Sequence, residues 1–171
     1  MNEVLQVAIE AARAAGRIQR ERIDNIGPIQ FKDEINPVTE IDLLSEQEII
    51  GRIKNHFSDH DFLAEESAEN FTGSSNNKWI IDPLDGTVNY SHGYPCYCVS
   101  IALKIKGRLE VAVIYDPSRQ ELFTAIRGMG ALLDGRKIRV SKQRKLQGAL
   151  LGTGFPYRDQ FDWMEVYLDI F

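Results

Sequence analysis

The chain has 171 residues, of which 43% are hydrophobic and 26% are charged, and its formal net charge is -5 at pH 7. This length allows one domain with a hydrophobic core and is short for two average domains. The acidic balance argues against a general nucleic-acid or anionic-membrane surface, because such surfaces depend on an excess of Lys and Arg. No apolar run reaches the roughly 18 residues of a membrane span, and the N-terminus lacks a signal-peptide pattern. The expected location is the cytoplasm, with no membrane partner.

Two long helices are predicted in the first third of the chain. Apolar residues recur at helical spacing from residue 3 to residue 22, and a second helix is expected from about Asp42 to Phe57. Between them, FKDEINPVTEID predicts an extended or hairpin segment interrupted at Asn36-Pro37.

After residue 60 the pattern changes to short strands. The predicted strands are Asp61–Ala64, Trp79–Ile81, Tyr97–Ile105, Leu109–Tyr115, Glu121–Ile126 and Lys137–Val140. Hairpin turns are expected at Lys106-Gly107 and at the DPSRQ segment, so the sheet is predicted to be an antiparallel meander. The expected fold class is therefore α+β, with two long helices packed on one face of an antiparallel sheet. A further strand-like piece, ALLGTGFPY, begins at residue 149, and an amphipathic segment, DWMEVYLDIF, follows it.

The cysteines and two of the histidines are candidates for redox or metal sites. Cys96 and Cys98 flank Tyr97 in a strand-like run, a spacing that suits neither an intrachain disulfide nor a C-x-x-C motif. They are predicted to be buried, reduced thiols. His56 and His60 have helical i, i+4 spacing and could bind zinc, but a frayed helix end with solvated polar side chains is the favoured interpretation.

Carboxylates occur where predicted elements begin or end in three segments, NPVTEID (36–42), FLAEES (62–67) and WIIDPLDGTVNY (79–90). The acids concerned are Asp42, Glu65, Glu66, Asp82 and Asp85. An aspartate at a strand end either forms a turn with its own backbone or binds a cation. Oxygen ligands without His or Cys favour a hard cation such as Mg²⁺.

Gly86 and Thr87 follow the last of these acids. Glycine lets the backbone approach an anion closely, and threonine offers an amide and a hydroxyl that can order a water. A short helix starting there would present free N–H groups to an anion. Metal-binding carboxylates beside a phosphate cradle predict a phosphoryl-transfer site.

The same segments resemble one family. WIIDPLDGTVNY resembles the D-P-x-D-G-T-x-N signature of the inositol monophosphatase family of Mg²⁺-dependent phosphatases. LAEES resembles its G-E-E-S element, with Ala64 where the family often has glycine, and NPVTEID resembles its D-x-V-T-x-x-D element. TGFPY at 153–157 is similar to bacterial members. The pieces occur in the family's order and cover most of the chain.

For the metals, the resemblance implies two Mg²⁺ ions. Glu65, Asp82 and the carbonyl of Leu84 would bind one ion, and Asp82 and Asp85 would bind the second. One metal would generate a nucleophilic hydroxide, and the other would neutralise the leaving-group oxygen.

For the substrate, the resemblance implies that the amides of Gly86 and Thr87 hold the phosphate, at a site that also includes Glu65 and Asp85. Thr87 paired with Asp42 would orient the attacking water, and Glu65 would join them as a catalytic residue.

The activity implied is that of a phosphomonoesterase acting on inositol monophosphate or a similar small polyol phosphate. The resemblance also implies a homodimer. Alternatives within the superfamily are a fructose 1,6-bisphosphatase and a 3'-phosphonucleotide phosphatase. A non-enzymatic alternative is a regulator that acts through RNA polymerase or ribosomal RNA maturation.

The architecture implied is the first half of the family's layered α/β/α/β/α fold. The expected domains are 1–148, which would bind metal and phosphate, and 149–171, the first elements of a C-terminal domain. The family's W-D-x-A-x-G element, whose Asp completes the second metal site, has no counterpart here. The chain alone is therefore expected to be inactive and prone to self-association.

Overall fold

The computed structural model describes residues 2–27, 30–31, 37–67 and 75–152. The elements are α1 (Asn2–Arg22), β1 (Gln30–Phe31), β2 (Pro37–Val38), α2 (Glu40–His56), β3 (Asp61–Ala64), β4 (Asn77–Asp85), α3 (Thr87–Ser91), β5 (Cys98–Ile105), β6 (Arg108–Asp116), β7 (Glu121–Ile126), β8 (Gly130–Leu133) and β9 (Arg136–Lys137). Both long helices are confirmed, and so is the α+β class. The segments TGFPY (153–157) and DWMEVYLDIF (162–171) lie outside the described residues.

Local side-chain contacts fix the start of α2 and the close packing of α1. In α2, the Thr39 hydroxyl accepts a hydrogen bond from the Ile41 amide, and the Asp42 carboxylate accepts one from the Thr39 amide, which forms a capping box. In α1, a row of buried alanines brings the helix close to its neighbours. A Cβ on Gly16 would lie 2.6 Å from the Tyr115 ring, so α1 and β6 are in close contact there.

Seven strands form one sheet in the order β3-β4-β5-β6-β7-β8-β9. All neighbours pair antiparallel except β3 and β4, which pair parallel with Ala64 opposite Ile81. The predicted meander is therefore correct from β4 onward and wrong at the β3 edge. Hairpin turns join only antiparallel strands, so a prediction based on hairpin turns does not detect a parallel pair.

Strand bounds differ from the prediction by one or two residues at several ends and by more at two places. β4 does not end at Ile81 but continues to Asp85, with its pairing to β5 irregular between Asp82 and Asp85. Such an irregularity tolerates a proline, which cannot donate to a ladder. The prediction of a strand at Lys137–Val140 is also wrong, because β8 was missed and β9 ends at Lys137.

The core lies between the helices and one face of the sheet. Trp79, Ile101, Leu103 and Val113 are at most 1% exposed on that face. On the opposite face the side chains are only partly buried, and Leu63 and Ile114 are 37% and 43% exposed. The sheet therefore has one covered face and one more accessible face.

The two cysteines are not both buried as predicted. Cys96 is exposed and Cys98 is half-buried. Strand β5 begins at Cys98. Tyr97, between the two cysteines, is buried, and its ring packs edge-on against the Tyr90 ring with centroids 4.9 Å apart. In this segment the Tyr97 side chain, rather than either thiol, is buried in the core.

The chain divides into two compact units, Met1–Arg139 and Val140–Phe171. The second unit has no helix or strand between residues 140 and 152, so the strand predicted from residue 149 does not form in its described part. Whether the domain boundary lies at 148 stays a prediction. Among the described residues, no helix has both the length and the apolarity needed to cross a membrane.

His60 is not a solvated residue at a frayed end, as predicted, but packs against aromatic side chains. Its ring stacks on Phe57 with centroids 4.8 Å apart. The Trp79 indole N–H donates to His60 Nδ1 at 3.0 Å, and the Asn77 amide lies 3.0 Å from Nε2. An Nδ1 that accepts a hydrogen bond belongs to a neutral imidazole.

We expect this imidazole to make stability depend on pH. Burial lowers the pKa of His60, although the charges of Asp59 and Asp61 oppose the shift. A base with a lowered pKa in the folded state loses stabilising free energy as the pH falls below its unfolded value of about 6.5. The free energy of unfolding in urea should therefore fall more, or rise less, from pH 7.5 to pH 5 in wild type than in His60→Gln or Trp79→Phe, because the raised pKa of Asp82 acts in the opposite direction in all three proteins. The same pH dependence in wild type and both variants would contradict the prediction.

Candidate metal and phosphate site

The parallel pairing of β3 with β4 places two of the predicted acids side by side. The pairing continues one step past the last ladder residues, because the Glu65 amide donates to the Ile81 carbonyl at 3.2 Å. Glu65 and Asp82 thus leave the same end of neighbouring strands, and their side chains share a hydrogen bond.

The environment of Asp82 opposes ionisation. Burial, the negative charges of Glu65 and Asp85, and the hydrogen bond with Glu65 together raise the pKa of Asp82 to about 7, while the Leu84 amide partly offsets them. That amide donates to Asp82 Oδ1 at 3.2 Å. A divalent cation would neutralise these carboxylates together, which is the chemistry that an oxygen-only donor set offers.

Asp85 reaches the same region through the irregular end of β4. Its carboxylate is exposed and lies opposite Cys98 in the ladder, with the thiol 3.8 Å from Oδ2. Burial, followed by the charges of Asp85 and Asp82, raises the pKa of Cys98 to about 12. Cys98 is therefore a protonated neighbour of the acids, a contact that the sequence analysis did not predict.

Thr87 and Asp42, which the family resemblance pairs, are in hydrogen-bond contact. The Thr87 hydroxyl lies 2.9 Å from Asp42 Oδ1 and 3.0 Å from the Leu84 carbonyl oxygen. The other carboxylate oxygen of Asp42 accepts from the Thr39 amide and hydroxyl at 2.8 and 2.6 Å. Asp42 is only 1% exposed, so these donors fix its orientation.

Gly86 forms the turn between the acids and α3. Its φ of 98° lies in the left-handed region, and an added Cβ would meet the Cys96 carbonyl oxygen at 2.8 Å. The Tyr90 amide donates to the Gly86 carbonyl, which starts the five-residue helix α3. Gly86 has no side chain to cap the first amides of α3, so these amides lack a side-chain cap from their own N-cap residue.

The donor set fits a hard cation in chemistry, although it is not a closed metal cage. Within the described ranges, no three His, Cys, Asp or Glu side chains are arranged to hold an ion by themselves. Mg²⁺ characteristically uses one or two carboxylates and completes its shell with waters and phosphate oxygens. The Glu65–Asp82 pair, with Asp85 and the Leu84 carbonyl nearby in sequence, meets that lesser requirement.

Of two cavities in the structure, one is lined by predicted site residues and the other is not. One of about 290 Å³ is lined by Glu65 and Asp82 together with apolar residues of the accessible sheet face, including Leu63 and Ile80. A larger one of about 480 Å³ is lined by Arg20, Tyr97 and other residues and includes none of the predicted site residues. Because the chemistry lies with the acids, the smaller cavity is the relevant one.

The sequence analysis missed Glu46 and Gln19, which lie behind the site. Glu46 is 4% exposed, and its Oε2 accepts from the Glu66 amide at 2.8 Å, so it holds the turn after β3. Gln19 donates to the Pro83 carbonyl beside Asp82. The detectable signal was a polar residue on the apolar face of an amphipathic helix.

A profile of the inositol monophosphatase family matches residues 1–169. The chain is 48% identical over 177 residues to Nus factor SuhB of Pseudomonas aeruginosa, covering 100% of this chain and 65% of that relative. It resembles the crystal structure of extragenic suppressor protein suhB from Bartonella henselae, with a TM-score of 0.91, 36% identity, and coverage of 98% and 65%. The inositol monophosphatase structure from Anabaena (Nostoc) matches with a TM-score of 0.71, 41% identity, and coverage of 83% and 51%. The chain belongs to the inositol monophosphatase family.

Proposed function

We propose that this chain supplies the metal- and phosphate-binding part of a Mg²⁺-dependent phosphomonoesterase that acts on inositol monophosphate or a similar small polyol phosphate. The observation that carries the proposal is the convergence of three separate segments. Glu65 hydrogen-bonds Asp82 across the parallel strand pair, and Thr87, in the same segment as Asp82, hydrogen-bonds Asp42. Family membership supports the reaction class, while the chain spans 65% of the P. aeruginosa relative's length.

The proposed metal ligands are Glu65, Asp82, Asp85 and the Leu84 carbonyl. Bound Mg²⁺ would activate a water and stabilise charge on the phosphoryl oxygens. Glu65 and Asp85 border the position proposed for the phosphate ester. Asp85 is exposed, so it is accessible to a ligand without a change in the core.

The proposed role of Thr87 and Asp42 is to orient the attacking water. The Thr87 hydroxyl has one proton and two acceptors within 3.0 Å, so it can donate to either and accept from a water. Asp42 is held by Thr39 and does not need to move. The amides of Gly86 and Thr87 would bind the phosphate where backbone approach is unobstructed by a side chain.

Asp85→Asn should lower Mg²⁺-dependent phosphate release by several orders of magnitude, because it removes the charge of a ligand while preserving its shape. The assay uses the complete gene product, inositol 1-phosphate and a chelator wash followed by Mg²⁺. Asp134→Asn, at an acid in the β8–β9 turn, is the matched control and should retain activity. Activity of Asp85→Asn within about tenfold of wild type would remove Asp85 from the metal site.

Thr87→Ala should lower kcat more than it raises KM, since its hydroxyl is proposed to act on water rather than to bind the ester. Thr87→Ser keeps the hydroxyl and should recover most of the rate. Steady-state kinetics on the same substrate measure both parameters. A change confined to KM in Thr87→Ala would contradict the proposed role.

The substrate is tested by a phosphate-release screen of the complete gene product. Inositol monophosphates, fructose 1,6-bisphosphate and a 3'-phosphonucleotide represent the proposed substrate and its two alternatives. The highest kcat/KM identifies the class, and the metal site is common to all three. Preference for either alternative would correct the substrate while leaving the metal chemistry in place.

A regulatory role through RNA polymerase or RNA is the second candidate function. The relatives named Nus factor SuhB favour it, and so does one local feature of the chain. Six of the ten residues from 136 to 145 are Lys or Arg, none is acidic, and all ten are exposed. This run stands against the overall net charge of -5, and exposed cations of this density bind nucleic-acid phosphates.

Replacing Lys142 and Lys145 by Gln should weaken binding of a single-stranded RNA oligonucleotide and reduce its salt dependence, by about 0.7 in the log–log slope for each lost phosphate contact. Fluorescence anisotropy over a salt series measures both effects. Lys104 and Lys106 replaced by Gln give the same change in net charge at another position. Equal binding by the two double variants would remove this support for the second candidate.

A further inference from the structure

Gln19 is a buried polar residue in α1 that connects to the site turn. Its side chain has 0% exposure, and its Nε2 donates to the Pro83 carbonyl at 2.7 Å. The same nitrogen lies 3.3 Å from Ser45 Oγ of α2. One amide group thus joins α1, α2 and the end of β4.

A second hydrogen bond joins the same residue to α3. The Tyr90 hydroxyl donates to the main-chain carbonyl of Gln19 at 2.7 Å, and Tyr90 is itself 0% exposed. Pro83 and Tyr90 flank the segment 84–89, which contains the Leu84 carbonyl, Asp85, Gly86 and Thr87. Both ends of the proposed metal- and phosphate-binding turn are therefore tied to Gln19.

The contact with Pro83 compensates for the irregular strand. The ladder between β4 and β5 has no regular pair between Asp82 and Asp85, so the Pro83 carbonyl falls outside the regular pairing. Pro83 is buried, and a buried carbonyl needs a donor. Gln19 supplies one from the helix layer.

The amide oxygen of Gln19, Oε1, is buried without a hydrogen-bond partner, which reduces the stabilisation that the contact with Pro83 provides. Among the described residues, Gln19 Oε1 is the one buried side-chain nitrogen or oxygen atom without a hydrogen-bond partner. Because the Pro83 carbonyl can only accept, the amide must present its nitrogen there and leave its oxygen in the interior. An unpaired buried acceptor is unfavourable, so it offsets part of what the Pro83 contact contributes.

We propose that Gln19 is a positioning residue for the site: it fixes the Asp82–Thr87 turn through Pro83 and Tyr90, and so sets the geometry of the Leu84 carbonyl and of Asp85. The expected effect of Gln19 on metal binding rests on the proposed metal-dependent function. The fixation of the turn itself is a property of the described contacts and can be measured without catalysis.

Gln19→Met tests the proposal, because methionine keeps the length and volume while removing both the donor and the unpaired acceptor. Amide hydrogen exchange of Leu84 and Tyr90 should become about tenfold faster, the factor expected when one ordinary hydrogen bond is lost. Amides of β6 and β7 should keep their wild-type rates. Gln6→Met, at an exposed position of the same helix, is the matched control and should change neither.

Mg²⁺ binding provides the second measurement. Calorimetric titration of the complete gene product with Mg²⁺ should show weaker binding in Gln19→Met than in wild type, with the midpoint of thermal unfolding changed little. Tyr90→Phe removes the other hydrogen bond and should speed exchange at the same amides. It supplies an independent variant in case Gln19→Met does not fold.

The outcomes separate the two hypotheses. Unchanged exchange of the Leu84 and Tyr90 amides in both variants would overturn the positioning role. Uniformly faster exchange throughout the sheet, with unchanged Mg²⁺ affinity, would also overturn it, because that pattern reflects general destabilisation. If wild type binds no Mg²⁺, the proposed function fails, and the exchange rates still decide whether Gln19 fixes the turn.

Discussion

The parallel pairing of the short edge strand β3 with its neighbour β4 is the constraint on which the candidate site depends. Strands that run the same way end at the same edge, so acids placed immediately after Ala64 and Ile81 become neighbours. An antiparallel pair would put the residues after one strand beside the start of the other. The contact between Glu65 and Asp82 is thus a consequence of strand direction and of a single register.

Around that pair, a buried polar layer lies between the helices and the site. Asp42, Glu46 and Gln19 are each less than 5% exposed, and each binds a backbone or hydroxyl group of a turn that carries a proposed site residue. Their positions on the apolar faces of α1 and α2 are unusual for side chains of this kind. The helices therefore act as a rigid support for turns that the sheet alone would leave irregular.

Local chemistry made much of this predictable. Helical periodicity gave both long helices, and Lys106-Gly107 gave the β5–β6 hairpin, since each depends on nearby residues. The parallel pair, the passage of β4 through Pro83 and the packing of His60 depend on segments far apart in the chain, and no local pattern specifies them. The pairing of Thr87 with Asp42 was expected only through the family resemblance. Net charge describes the chain as a whole, so an acidic total does not reveal the local basic run at 136–145.

The steric difference between Gly86 and its neighbours has a consequence for how this protein can vary over time. A side chain at Gly86 would press on the Cys96 carbonyl, whereas the Asp85 side chain is exposed. Loss of an exposed acid therefore removes charge without disturbing the packing beneath it. A substitution at Asp85 can therefore change the charge of this turn while the backbone path through Gly86, which admits no side chain, stays the same.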